Sequence, residues 1–189
     1  MDSLQENTFG KNLHRIWKNG NTDIRLPAPE EDVLYVFIHI LQHFFKEGIG
    51  LRQLCDWCRL LWKYHQEIDV VLLENRLSAM GVISEWKSFA ALAVDYLGAP
   101  VETMPLYSSD KSWKRKANRI LSMIMESGNL GHRRNLYYRE KYPYLVRKTI
   151  SFRRSSWDSI RKMTVFPQET IIAWSVMVRN GIGALIKGL

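Results

Sequence analysis

Apolar residues recur every three or four positions along almost the whole chain, and that period admits helices and little else. In "PEEDVLYVFIHILQHFFKEG", Pro29 and the acids Glu30, Glu31 and Asp32 stand where a helix start favours proline and negative charge, and Gly48 stands where a helix stops. The next segment sets Leu51, Leu54, Cys55, Cys58, Leu61 and Trp62 on an apolar stripe and Arg52, Asp56, Arg59 and Lys63 on a polar one. "IDVVLLENRLSAMG" and "ISEWKSFAALAVDYLGAP" predict two further helices, closed by Gly81 and by Gly98 with Pro100. "VETMPLYSSDKS" reads as a loop, with Ser112 capping a helix that runs to Ser127. "GNLGH" breaks the chain, one or two helices follow in "PYLVRKTISFRRSSWDSIRKM", and a last one starts at Pro167. No strand pair, repeat or low-complexity tract is readable. The expected fold class is therefore all-α, an irregular multi-helix bundle of about seven or eight helices. Its expected organisation is a linker or short entry helix over 1–28, a helical domain over 29–165 that is basic from 111 on, and a C-terminal helix over 166–189 packing on it.

A chain of 189 residues with 46% hydrophobic and 24% charged residues can bury a sizeable core. No window is apolar enough for a membrane span, and "MDSLQENTFG" lacks the basic-then-apolar order of a signal peptide, so a cytoplasmic location is expected. Two cysteines within one helical turn exclude a disulfide framework and suit a reducing compartment.

The net charge of +8 comes from one segment. Residues 1–110 hold 10 Lys and Arg against 15 Asp and Glu, whereas residues 111–162 hold 15 against 3. That segment interleaves Trp and Tyr with Arg and Lys, which suits an anionic partner; a solvated basic face answering acids elsewhere in the protein is the plainer reading. Within it, "GNLGHRRN" is the expected functional surface. Gly128 and Gly131 allow outward-facing amides, Asn129 and His132 donate hydrogen bonds, and Arg133 and Arg134 suit phosphate or carboxylate. Lys114, Arg115 and Arg119 on the preceding helix widen the same patch, and the competing reading is a helix C-cap followed by a solvated loop.

"FIHILQHFFKEGIGLRQLCDWCRLLW" raises the question of a metal. His39 and His43, four apart, with the pair Cys55 and Cys58, form a conceivable zinc set. The cysteines, however, share the apolar stripe while the histidines share a polar one with Asp32, Tyr35, Gln42 and Lys46. Convergence would need both helices turned against their hydrophobic pattern, so no metal site is expected. A redox pair is disfavoured too, since no βαβ pattern surrounds the cysteines. They read as small core residues, and His39, His43, Arg52 and Asp56 as a structural polar seam between neighbouring helices, with Arg52 and Asp56 at salt-bridge spacing.

"HILQHFFKEGIGLRQLCDW", "MIMESGNLGH" and the basic stretch reaching "FPQETIIAW" resemble the C-terminal helical part of the bacterial nucleotidyltransferase-like family associated with surface-polysaccharide loci. The resemblance runs from about Pro29 to Trp174, with Asp56 matching the family's Asp and Leu130 standing where the family tends to have an aromatic. It implies Mg²⁺ and a nucleoside triphosphate for the full-length protein, held by a preceding α/β palm domain with a Gly-Ser turn and an Asp-x-Asp pair on a strand. The nearest imitations here, "GNTDIR" with Asp23 and Arg25 and "EID" with Glu67 and Asp69, do not make that motif. Catalytic residues and cofactors are thus expected in an upstream domain or subunit and none in this chain, which reads as a truncated product, a split subunit or an expression fragment. The function implied is accessory to nucleotidyl transfer. The alternatives are a basic helical module binding nucleic acid or an anionic glycan, a structural remnant without ligand, and, from "TIIAWSVMVRNGIGALIKGL", a helix that docks on a membrane surface, for which core burial is the plainer account.

Overall fold

In the computed structural model, residues 15–46, 48–127 and 143–186 are described. Among the described residues, strands β1 (Arg15–Asn19) and β2 (Thr22–Leu26) precede seven helices: α1 (Pro29–Lys46), α2 (Leu51–Tyr64), α3 (Val70–Ala79), α4 (Ile83–Leu97), α5 (Lys111–Ser127), α6 (Tyr144–Met163) and α7 (Pro167–Ile186). A short 3₁₀ turn, Val101–Thr103, lies between α4 and α5. The described chain is mostly all-α, as its periodicity requires.

The helix ends follow the punctuation in the sequence. Gly98 closes α4 in the left-handed conformation at φ 75°, which glycine alone adopts without strain. Asp69 caps α3, its Oδ1 accepting from the Leu72 amide at 2.9 Å. At the start of α2 the Gln53 side-chain carbonyl accepts from the Gly50 amide at 3.0 Å. One expected cap moves: the amides of Trp113 and Lys114 bond the Asp110 carbonyl, so Ser112 lies within α5 and Asp110 marks its entry.

The entry segment corrects the sequence reading. Residues 15–26, expected as linker or short entry helix, pair as an antiparallel hairpin with Trp17 opposite Ile24 and Lys18 opposite Asp23. Its signal is local: Gly20 and Asn21 separate two runs containing Ile16, Thr22 and Ile24, and Gly20 takes φ 61°.

The core is an aromatic cluster among α1, α2 and α4. Phe37 stacks on Trp57 at 5.3 Å, meets Trp86 edge-on at 4.8 Å and Phe89 at 5.8 Å, and Trp57 meets Trp86 at 5.0 Å. All four rings are fully buried. The Trp86 indole N–H donates to the Pro105 carbonyl at 2.8 Å, fixing the loop after α4. An ion pair between Arg76 and Glu31 ties α3 to the first turn of α1. The helical pair α6/α7 is seated at its turn, where Val165 and Phe166 are buried, Phe166 lies against Phe44 and Phe45, and Lys162 Nζ donates to the Phe45 carbonyl at 2.9 Å.

A candidate anion-binding groove

The inward side of α5 buries Ala117, Ile120, Met123 and Ile124 against the core, and this forces Arg115, Asn118, Arg119 and Ser122 outward together, since these positions recur at three, four and seven residues. The end of α6 comes up beside that row. Arg119 donates to the Thr164 carbonyl at 2.9 Å, and Arg161 grips the Glu126 carboxylate with two bonds of 2.5 and 3.0 Å. Between the two helices lies an open groove of about 590 Å³ lined by Arg115, Asn118, Arg119, Ser122, Met123, Arg161 and Thr164.

Among the described residues three guanidinium groups and no carboxylate line this groove, and one of the three, Arg161, is paired with Glu126 at its edge. The Glu126 hydrogen bonds hold the Arg161 guanidinium even further above its already high ordinary pKa, so its charge is permanent. Planar guanidinium groups pair bidentately with phosphate or carboxylate oxygens, and the Asn118 and Ser122 side chains add neutral hydrogen-bonding groups.

Of the residues singled out from the sequence, Arg115 and Arg119 are brought together here, whereas Lys114 is exposed on α5 outside the groove. Asn129, His132, Arg133 and Arg134 lie outside the described residues. The groove also takes Asn118, Ser122, Arg161 and Thr164, which were not singled out. Helical spacing from Arg115 could have found the first two; Arg161 needs the tertiary approach of α6.

The expected polar seam is not a buried one. His39 and His43 meet ring to ring at 4.5 Å, but Arg52 and Asp56 both lie exposed on the outer side of α2. The reason is the rotation of that helix, which buries Leu54, Trp57 and Leu61. Trp57 on the inside turns Cys55 to the solvent and leaves Cys58 half-buried, so the first cysteine is not a core residue. Burial pushes the Cys58 thiol up to about 11 from its ordinary 9.0, with the neighbouring Cys55 adding to the rise. Because the thiolate is the nucleophile, Cys58 at pH 8 is expected to be alkylated about 100-fold more slowly than a thiol of ordinary acidity, and solvent-exposed Cys55 is expected to be modified first. Peptide mapping after timed iodoacetamide treatment reads this directly, and equal rates would contradict the rotation of α2.

Among the described residues no group of three or more His, Cys, Asp and Glu side chains could hold a metal ion. Of the two imitations of a metal-binding carboxylate pair, the first has Asp23 alone on its strand, opposite Lys18 in the register, and the second has Asp69 engaged as the cap of α3. Neither of these two described segments offers the strand-borne carboxylate pair that a Mg²⁺ site of that kind needs.

A family model described as an uncharacterised nucleotidyltransferase matches residues 4–98, half of the chain. The chain belongs to that family. The matched part of this nucleotidyltransferase-family chain contains the hairpin, α1 to α4 and "EGIGLRQLCDW"; it ends at Gly98, before α5 and the groove. No curated protein and no solved structure matches the chain.

Proposed function

We propose that the chain is the helical portion of a nucleotidyltransferase, accessory to nucleotidyl transfer and not catalytic by itself, and that the groove between α5 and α6 holds the phosphates of a nucleotide or an anionic acceptor. Family membership supports the link to nucleotidyl transfer. The observation that carries the role of the groove is the convergence of Arg115, Arg119 and Arg161 around an open volume sized for a small molecule. In this reading the metal-binding carboxylates, the Mg²⁺ and the triphosphate site belong to a palm domain or subunit encoded upstream, and the acceptor belongs to surface-polysaccharide assembly.

A second reading, a basic helical module for nucleic acid or an anionic glycan, draws on the same basic segment. The two differ in what competes. Isothermal titration with adenosine triphosphate, then with a heparin-like polyanion, is expected to show nucleotide binding that weakens as salt rises. Replacing Arg115 and Arg119 by Ala should weaken it about tenfold per arginine, as charge-assisted hydrogen bonds are lost, without shifting the melting temperature much. A double variant that binds the nucleotide as the parent does at low salt would remove the groove from consideration. Preference for the long polyanion would favour the second reading.

A further inference from the structure

The pair α6/α7 meets the rest of the molecule mainly at its turn, and away from that turn it presents apolar side chains outward. On α6, Val146, Trp157 and Ile160 are 41%, 63% and 53% exposed. Positions 146, 153, 157 and 160 share one face, because intervals of three, four and seven residues are close to whole turns. Arg153, also exposed, sits within that row. The helix carries six Lys and Arg residues against a single acid, Asp158. The neighbouring α7 repeats the pattern, with Ile172 65% and Val176 41% exposed and Arg179 one turn further on.

Charge decides what such a face receives. A protein partner would have to bring a matching acidic surface to this strongly basic helix, in which Arg153 stands between Val146 and Trp157. An anionic lipid leaflet accepts both components at once: the acyl boundary takes tryptophan and aliphatic side chains, and the phosphates take the arginines without a matched acidic partner. Among the described residues no helix is long and apolar enough to cross a membrane, so contact of this kind lies along the surface. We propose that the outer face of α6, continued on α7, binds the surface of a bilayer containing anionic lipid, with the helices lying in the interface plane.

The test is sedimentation of the full chain with vesicles of phosphatidylcholine alone and with about one third phosphatidylglycerol. Binding to the mixed vesicles is expected to be at least about tenfold tighter and to weaken with salt. Trp157→Ser with Ile160→Ser should lose about tenfold or more, while its melting temperature stays near that of the parent because both side chains are exposed. The Arg115→Ala, Arg119→Ala variant should still bind, since its groove is a separate surface and the proposal does not rest on it. Equal partition to both vesicle types, no binding at low salt, or a Trp157/Ile160 variant that binds like the parent would each overturn the proposal. So would a parent chain that is dimeric in sedimentation equilibrium and ignores vesicles, with the same variant monomeric; that outcome assigns the face to a second copy of the chain.

Discussion

Replacing Trp86 by Ala is expected to remove a large part of the stability of the fold. The indole is fully buried, in ring contact with Phe37 and Trp57, and no neighbouring element can close over the hole without leaving its own partners. Truncations of this size cost about 3 to 5 kcal/mol, and the Pro105 carbonyl loses its donor for roughly 1 kcal/mol more. Against the 5 to 15 kcal/mol typical of a domain, that is from about a quarter to all of it. Urea unfolding followed by circular dichroism should show a large fall in midpoint. Trp62→Ala is the control: that side chain is 60% exposed, and its loss should cost under about 0.5 kcal/mol. Equal losses from the two would mean that α2 buries its other side.

Trp57 and Trp62, both on α2, show where the sequence stops being informative. Periodicity and punctuation locate α1 to α5 and the start of α7 because Pro29, Gly48, Gly81, Gly98 and Pro167 act through their own backbones. Which side of α2 faces inward is another matter. Trp57 and Trp62 are both large and apolar, and the choice between them is made by Phe37 on α1, which stacks on Trp57, and Trp86 on α4, which meets it edge-on. A one-helix stripe cannot contain that information: it groups Trp62 and Cys55 with the inward residues and sets Arg52 and Asp56 at a seam. The hairpin was missed for a different reason: its strands are five residues each and largely exposed, so no run of alternating burial marks them beyond the Gly20-Asn21 turn. The groove was half legible. Arg115 and Arg119 follow from charge and spacing on one helix, while Arg161 joins them only because the turn at Val165 and Phe166 anchors α6 beside α5.

Lys162, at that anchor, is expected to make the protein more stable as pH rises from 7 to 9. Its ammonium is drawn against the Phe44 ring at 5.5 Å and donates to the Phe45 carbonyl near the end of α1, in surroundings that burial makes unfavourable to charge. Desolvation pushes its pKa from an ordinary 10.5 down to about 8, against the opposing pull of Asp158 on the preceding turn. Below pH 8 both the folded and unfolded chains carry the proton and the burial cost is fully present. Above it the folded chain releases the proton while the unfolded chain keeps it up to about 10.5, so the unfolded state binds more protons and stability climbs. The gain between pH 7 and 9 is about 1 kcal/mol, from the one unit by which pH 9 exceeds the folded value. Above pH 9 the Cys58 thiol, raised to about 11, acts in the opposite sense, because the unfolded chain then loses a proton that the folded chain retains. The thiol already offsets about 0.4 kcal/mol at pH 9, so it is the difference between parent and a Lys162 variant that isolates the lysine. Lys162→Met should abolish the climb and should itself be more stable than the parent at pH 7, since a methionine fills the same space without a charge to desolvate. Urea midpoints of both proteins at pH 7, 8 and 9 give the comparison. Parallel profiles for parent and variant would show that Lys162 keeps its ordinary proton affinity, and with it that the turn of α6 and α7 does not seat its ammonium against α1.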